Sequence, residues 1–274
     1  MSRFTTSDGL SLHYEDSGDG LPVLCLAGLT RTSRDFDYVA PHLAGVRLIR
    51  MDYRGRGQSD WGKEWAEYAL PIEVRDVMEL LEHLGLPKVA VLGTSRGGLN
   101  AMGMAAAAPD VLLGVAFNDV GPVIEDKGLD VIAEYIGRHP HAATHEQMAA
   151  ALAHVMQGFD NVPADRWLQE ARTQYRQTDT GLEITYDPRL RDATLAAREA
   201  GLPDLWPFFD ALPDVPLAVI RGANSELLSE ETVAQMKARR PNILTTTVPG
   251  RGHVPFLDEP ESVSTLTTWI EAMT

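Results

Sequence analysis

The sequence predicts an α/β protein with a mostly parallel sheet flanked by helices, into which a block of helices is inserted. Short apolar runs, typical of buried strands, alternate with stretches that carry apolar residues at helical spacing. The chain has 274 residues, and 44% of them are hydrophobic, which is ample for one large core. Between about residues 123 and 213 the strand pattern stops and helical periodicity takes over.

The first predicted strands surround a tight turn. Residues 3 to 16 alternate between apolar and polar types about Asp8-Gly9, a pair that favours a β-hairpin. Buried strands are then predicted over 22–26 and 46–51, and each ends in a loop. Such loops, at the carboxyl ends of strands, are where open α/β sheets bind ligands. A helix beginning near Pro71 completes this part.

The centre of the chain carries a strand that turns directly into a helix. Residues 89–92 are a continuous apolar run, and an Ala-rich helix is predicted just after the Gly-x-Ser-x-Gly motif at 93–97. So sharp a turn leaves no room for side chains two residues either side of its apex, and Gly93 and Gly97 meet this requirement. The hydroxyl of Ser95 would then stand exposed at the apex, as in a nucleophile elbow.

The rest of the chain divides into an insertion and the end of the sheet. A strand is predicted at 111–117, followed by helices at 128–138, 144–157, 163–177 and 188–200. Strands at 215–221 and 243–248 and a helix from about Glu259 resume the α/β pattern. We therefore expect residues 1–122 and 214–274 to form one core domain and residues 123–213 to form a helical cap, or lid.

The catalytic candidates follow from the chemistry of a serine nucleophile. A serine hydroxyl needs a base to remove its proton and a third group to orient that base. His253, in a Gly-rich loop after the last predicted strand, is the candidate base. The acid is open between two carboxylates. Glu226, in the loop after the preceding strand, is preferred, and Asp119, after the strand at 111–117, is the alternative.

Attack on a carbonyl creates an oxyanion that needs hydrogen-bond donors already in place. The backbone amide of Arg96, directly after the nucleophile, is one candidate donor. The amide of Leu29, in the loop after the strand at 22–26, is the other. The side chains of Arg96 and Arg31 each have two interpretations. They are charges paired locally or exposed to solvent, or they bind an anionic group of the substrate.

Two further groups of residues are weaker candidates for a functional site. Trp206 and Phe209, where the insertion returns to the sheet, are candidate substrate-binding residues, with burial in the core of the insertion as the alternative. Histidines at 139, 141 and 145 lie close together in sequence but lack the carboxylate support of a metal site, so no metal is predicted.

The composition bears on partners and on cellular location. The net charge of −15 and the isoelectric point near 4.9 argue against nucleic acid or an anionic membrane as a partner. Cys25 is the single cysteine, so no internal disulfide is expected, which fits a reducing compartment. No apolar run reaches 18 residues. We expect a cytoplasmic protein with a small-molecule substrate, and its oligomeric state stays open.

Taken together, these motifs resemble the lid-bearing members of the α/β-hydrolase superfamily over essentially the whole chain. The matching marks are Gly28, the Asp-x-Arg-Gly-x-Gly-x-Ser motif at 52–59, the elbow at 93–97 and Gly252-His253. The resemblance implies an eight-stranded, mostly parallel sheet and no cofactor. Three positions depart from the usual family pattern: Ala27 where many relatives have His, Arg96 where an apolar residue is common, and Ser225 where the acid usually lies.

The expected function is hydrolysis of a small or medium carboxylic ester or lactone through an acyl-enzyme on Ser95. Alternatives within the family are hydrolysis of a carbon–carbon bond in a diketone, and perhydrolysis. A serine nucleophile argues against dehalogenase and epoxide hydrolase chemistry, for which this fold uses an aspartate. A ligand sensor that keeps the triad but turns over slowly is the alternative outside enzymes.

Overall fold

The computed structural model describes residues 2–156, 158–201 and 203–274. The strands in these ranges are β1 (Ser2–Thr5), β2 (Ser11–Ser17), β3 (Leu21–Leu26), β4 (Val46–Met51), β5 (Val89–Thr94), β6 (Leu112–Asn118), β7 (Tyr175–Thr178), β8 (Gly181–Ile184), β9 (Leu217–Gly222) and β10 (Leu244–Val248).

The α-helices are α1 (Leu70–His83), α2 (Arg96–Ala107), α3 (Asp126–Tyr135), α4 (His145–Val155), α5 (Ala164–Gln174), α6 (Leu190–Glu199), α7 (Trp206–Asp210), α8 (Glu230–Arg239) and α9 (Pro260–Glu271). Short 3-10 helices occur at Ser33–Phe36, Ala40–His42, Trp65–Tyr68 and Pro109–Val111. Among the described helices, none has both the length and the apolar composition needed to cross a membrane.

Eight of the described strands form one sheet in the order β1-β2-β4-β3-β5-β6-β9-β10. The pairs β1–β2 and β2–β4 are antiparallel, and the pairs from β4 through β3 to β10 are parallel. The predicted N-terminal hairpin is confirmed, since Thr5 pairs with Ser11 and Gly9 has the positive φ that its turn requires. The predicted eight-stranded, mostly parallel sheet is therefore confirmed.

The sheet is covered by apolar side chains on both faces. One layer includes Val77 and Leu81 of α1 and Met102 of α2, and the opposite layer includes Phe36 and Trp269. Every residue of β5 is buried, which explains why its sequence is a continuous apolar run rather than an alternating one. The carboxyl ends of β3, β5, β6 and β9 lie side by side at one edge of the sheet.

The segment between β6 and β9 is not all helical, contrary to the prediction. It contains α3 to α7, but β7 and β8 form an antiparallel hairpin in which Tyr175 pairs with Ile184. The helix predicted at 163–177 therefore ends at Gln174. The chain beside this hairpin bonds to the loop after β4, because the amide of Gly57 donates to Thr185 at 2.8 Å.

Candidate active site

A sharp turn joins β5 to α2, with Ser95 alone between them at φ 49° and ψ −112°. The two flanking glycines are required on steric grounds. A Cβ on Gly97 would lie 1.9 Å from the carbonyl oxygen of Leu26, and one on Gly93 would lie 2.6 Å from the backbone of Gly97. Both contacts are with backbone, which cannot move aside as a flexible side chain can. The strand, turn and helix expected of the elbow are all present.

A continuous hydrogen-bond chain runs from Ser95 to a buried carboxylate. Nε2 of His253 lies 3.0 Å from Oγ of Ser95, and Nδ1 of His253 lies 2.7 Å from Oδ2 of Asp119. The side chain of Asp119 is fully buried, and that of His253 is 21% exposed. The hydroxyl is thus in contact with the imidazole, and the opposite ring nitrogen is held by an acid.

The carboxylate in contact with His253 is Asp119, and the prediction that preferred Glu226 is wrong on geometry. Oε1 of Glu226 instead bonds to Nζ of Lys127 at 2.7 Å, and both side chains are partly or largely exposed. The chain turns after β9 because the amide of Ser225 donates to Gly222, which leaves Ser225 facing Asp119 and Glu226 facing outward.

Ser225 is a site residue that the sequence analysis did not identify as such. Its hydroxyl donates to Oδ2 of Asp119 at 2.6 Å, and the amide of Gly222 donates to Oδ1 at 2.8 Å. Both oxygens of the carboxylate are therefore held in place. The absence of an acid at the usual family position was itself the signal that the acid lies elsewhere.

The loop after β3 lies against the nucleophile. A Cβ placed on Gly28 would be 3.9 Å from Cβ of Ser95, so the amide of Leu29 comes next in the chain beside the elbow. The amide of Arg31 donates to Gly28 at 3.1 Å, and the carbonyl of Leu29 accepts from Nε of Arg56 at 2.9 Å. The two candidate oxyanion donors, Leu29 and Arg96, thus lie in the loop beside Ser95 and in the residue that follows it.

The side chains of Arg96 and Arg31 are both held in ion pairs. Nε of Arg96 lies 2.7 Å from Glu73, which is the local pairing considered from the sequence. Arg31 bonds to Asp35 at 2.9 Å and to Glu170 of α5 at 2.7 Å. The assignment of Arg31 to substrate binding is therefore not supported, because its charge is already balanced by two buried carboxylates.

The Arg31 cluster also shifts the ionisation of its members. Burial raises the pKa of the Asp35 carboxyl to about 6, although Arg31 opposes the rise and Glu170 adds to it. Burial on its own would lower the pKa of Arg31, but the two carboxylates raise it above its ordinary value. Arg31 therefore stays charged while Asp35 titrates in mildly acidic solution.

Trp206 and Phe209 lie in the apolar core rather than in a substrate pocket, so this prediction is wrong. Phe209 is fully buried with its ring 6.3 Å from that of Phe117, and Trp206 packs edge-on against Phe209 at 5.8 Å. The guanidinium of Arg239 covers the Trp206 ring at 4.2 Å. These contacts arise because α7 packs against α2.

Two cavities bear on where a substrate could bind. One of about 20 Å³, room for about one water molecule, is lined by Thr94, Asn118 and Val254, the chain neighbours of the three residues in the hydrogen-bond chain. A larger cleft of about 470 Å³ lies beside the β7–β8 hairpin, and its described lining does not include Ser95 or His253. Among the described residues, no three His, Cys, Asp or Glu side chains converge on a point that would hold a metal ion.

Comparison with known proteins identifies the family of this chain. The family described as alpha/beta hydrolase fold matches residues 22–260. A 3-hydroxybutyrate-oligomer hydrolase from Cupriavidus necator is 37% identical over 260 residues, which cover 92% of this chain and 88% of the relative. A 2-(acetamidomethylene)succinate hydrolase from Mesorhizobium japonicum is 28% identical over 278 residues, which cover 99% of this chain and 96% of the relative.

The fold agrees equally well with a solved structure. The crystal structure of an alpha/beta hydrolase from Novosphingobium aromaticivorans has a TM-score of 0.92 and 37% sequence identity, and the match covers 99% of this chain and 97% of that one. The family match covers the strands from β3 to β10, the elbow and the His253 loop. The chain therefore belongs to the α/β-hydrolase fold family.

Proposed function

We propose that the protein hydrolyses carboxylic esters, including lactones, through an acyl-enzyme formed on Ser95. The observation that carries the proposal is the unbroken chain from Oγ of Ser95 through both nitrogens of His253 to Asp119, at 3.0 and 2.7 Å. In this arrangement Ser95 is the nucleophile, His253 the general base and acid, and Asp119 the group that orients the ring and stabilises its charged form.

The proposed reaction has two halves. Oγ of Ser95 bonds to the carbonyl carbon while Nε2 of His253 takes its proton, and the electron pair moves to the carbonyl oxygen near the amides of Leu29 and Arg96. Collapse of this intermediate breaks the C–O bond, and the alcohol leaves with the proton from His253. Water then loses a proton to His253 and attacks the acyl carbon, and Ser95 regains its proton as the carboxylic acid departs.

The surroundings of Leu29 and the relatives of this chain both bear on the substrate class. Leu29 packs against an apolar cluster that includes Ile184 of β8 and Leu190 of α6, which supports the proposal that the segment 123–213 acts as a cap over the oxyanion loop. Such a cover favours compact, mainly apolar acyl groups. The 37% identical relative is named for 3-hydroxybutyrate oligomers, and short oligoesters of hydroxy acids are therefore included among the proposed substrates.

The experiment measures steady turnover of the wild type and of Ser95→Ala on p-nitrophenyl esters, lactones, the 3-hydroxybutyrate dimer and a diketone. We expect ester hydrolysis with kcat reduced at least about 10⁴-fold in Ser95→Ala. Ser264→Ala, an exposed serine of α9, is the matched control and should be unchanged. A fluorophosphonate probe should label the wild type at Ser95, with fluoride as the leaving group.

Four results would contradict the proposal. Turnover of only about one event per protein molecule would favour the slow sensor. Cleavage of the diketone with no ester hydrolysis would favour carbon–carbon chemistry, and hydrogen-peroxide-dependent peracid formation that exceeds hydrolysis would favour a perhydrolase. Full ester hydrolysis by Ser95→Ala would exclude the proposed nucleophile.

A further inference from the structure

A buried network of ion pairs lies next to the two residues that carry the candidate oxyanion donors, and none of its side chains takes part in the proposed reaction. Glu73 of α1 is fully buried, and its two oxygens bind two different arginines. Oε1 accepts from Arg56 at 2.7 Å, and Oε2 accepts from Nε of Arg96 at 2.7 Å. Asn100 adds a bond to Oε2 at 3.2 Å. One carboxylate thus joins the loop after β4 to the start of α2.

Each of the two arginines leads to a different oxyanion donor. Arg96 itself carries one of the two amides, directly after Ser95. Arg56 donates through Nε to the carbonyl of Leu29 at 2.9 Å, and Leu29 carries the other amide. The backbone amide of Arg31 donates to the carbonyl of Gly28 and so fixes the peptide plane that contains the Leu29 amide. The bond from the Arg56 side chain fixes the next peptide plane. Glu73 therefore connects both sides of the hole.

The negative charge of Glu73 holds Arg56 and Arg96 together, and with them the two sides of the candidate oxyanion hole. Burial opposes its ionisation, but Arg96 and Arg56 together bring the pKa of Glu73 below its ordinary value. Arg56 is fully buried between the rings of Tyr53 and Tyr68, so it cannot turn to solvent, whereas the side chain of Arg96 is 19% exposed. Without the negative charge the two guanidinium groups would repel each other. Arg96, which would keep a bond to the carbonyl of Tyr68 at 3.0 Å, is the less buried of the two and is the one expected to shift.

We propose that Glu73 is a positioning residue that sets the spacing between the amides of Leu29 and Arg96, and so the stabilisation of the oxyanion. This inference rests on the proposed ester hydrolysis. A positioning role affects the transition state more than substrate binding, because the ground-state carbonyl makes weaker use of the hole than the oxyanion does. A purely structural role would instead lower stability without that selectivity.

The experiment compares Glu73→Gln with Asp76→Asn. Asp76 lies one turn further along α1, is 1% exposed and binds the buried Arg54 at 2.6 Å, so its replacement breaks a similar ion pair on the same helix. The described contacts of Asp76 do not include Leu29 or Arg96. For Glu73→Gln we expect kcat to fall about 10²-fold with KM within about twofold. Asp76→Asn should keep kcat within about threefold.

A second readout uses a boronic acid, which forms a tetrahedral anionic adduct with the nucleophilic serine. Its affinity should fall with kcat in Glu73→Gln and stay near the wild-type value in Asp76→Asn. If Glu73→Gln does not fold, Arg96→Met removes one arm of the network from a partly exposed position and should show a smaller loss of the same kind, in kcat and not in KM.

The outcomes separate this inference from the proposed function. Equal losses of kcat in Glu73→Gln and Asp76→Asn, or a loss confined to KM, would overturn the positioning role while ester hydrolysis stands. Wild-type protein without Ser95-dependent turnover would overturn the proposed function instead.

Discussion

At the scale of single residues, backbone conformation identifies the site only together with hydrogen bonding. Ser95 and Asp119 have positive φ values of 49° and 56°, which non-glycine residues rarely adopt and which concentrate at functional sites. Asn161 and Leu257 share that conformation, with φ values of 52° and 74°. Ser95 and Asp119 are also hydrogen-bonded to His253, so the unusual backbone and the hydrogen bond together distinguish them.

The identity of the acid is tested by one pair of variants. Asp119→Asn keeps the shape of the side chain but removes the charge that stabilises protonated His253, so we expect kcat for ester hydrolysis to fall about 10³–10⁴-fold. Glu226→Gln, which disturbs only the exposed pair with Lys127, should keep kcat within about twofold. A larger loss in Glu226→Gln than in Asp119→Asn would return the acid to the loop after β9.

The position of Ser225 offers a stricter form of this test. Its hydroxyl lies 2.6 Å from the same Asp119 oxygen that contacts His253, so a carboxylate at 225 would reach the same region of the site. Adding Ser225→Asp to Asp119→Asn should restore kcat at least about tenfold relative to Asp119→Asn alone. No recovery in a folded double variant would show that only the strand before Asp119 delivers an acid in the required direction.

At the scale of elements, the elbow was predictable because its constraint is local. The two glycines and the apolar run at 89–92 specify a strand, a turn and a helix without reference to the rest of the chain. The structure adds the partner that makes Gly97 indispensable. That partner is the backbone of β3, since a Cβ on Gly97 would overlap the carbonyl of Leu26.

Replacing Gly97 with alanine should therefore be severe. Because the contact at 1.9 Å is with backbone, β3 and α2 would have to separate, and we expect a loss of stability above about 4 kcal/mol or no soluble protein. Gly103→Ala in the same helix is the control. Its Cβ would meet only the side chain of Val74, at 2.7 Å, and alanine favours the helix by about 1 kcal/mol. Urea unfolding measures both, and similar stabilities of the two variants would contradict the steric argument.

The β7–β8 hairpin was not predictable from its own sequence. Tyr175–Thr178 carries mostly polar residues that continue the polar face of α5, and each strand has only four residues. The hairpin pairs with itself and not with the main sheet, so no long apolar run marks it. The pairing depends on residues that lie against it in space, such as Arg56, which forms an isolated bridge with Tyr186.

At the scale of the whole molecule, the sequence specified the sheet but not the partners of its charged groups. The buried strands are recognisable from their apolar runs, which are local properties, whereas the eight-stranded, mostly parallel arrangement was expected from the resemblance to the α/β-hydrolase superfamily. The pairing of Arg31 with Glu170 joins residues 139 positions apart, and that of His253 with Asp119 joins residues 134 positions apart. No spacing in the sequence indicates such pairs, which is why Arg31 and Glu226 received roles that the geometry does not support.

The Arg31 cluster links the sheet domain to α5, and its ionisation should affect the stability of the whole chain. The folded pKa of Asp35 is about 6 against an ordinary value of 3.8, so the folded protein binds a proton more tightly there than the unfolded chain does. A raised carboxyl pKa stabilises the fold below the unfolded pKa, and that contribution is lost as the pH rises from about 4 to about 6.

Asp35→Asn removes this titration while Arg31 and Glu170 remain. The free energy of unfolding of the wild type, relative to Asp35→Asn, should therefore fall by about 3 kcal/mol over this range and stay level above it. Urea unfolding of both proteins between pH 4 and 8 measures the difference. A difference that rises with pH instead would mean that the attraction of Arg31 outweighs burial, and that the pKa of Asp35 lies below its ordinary value.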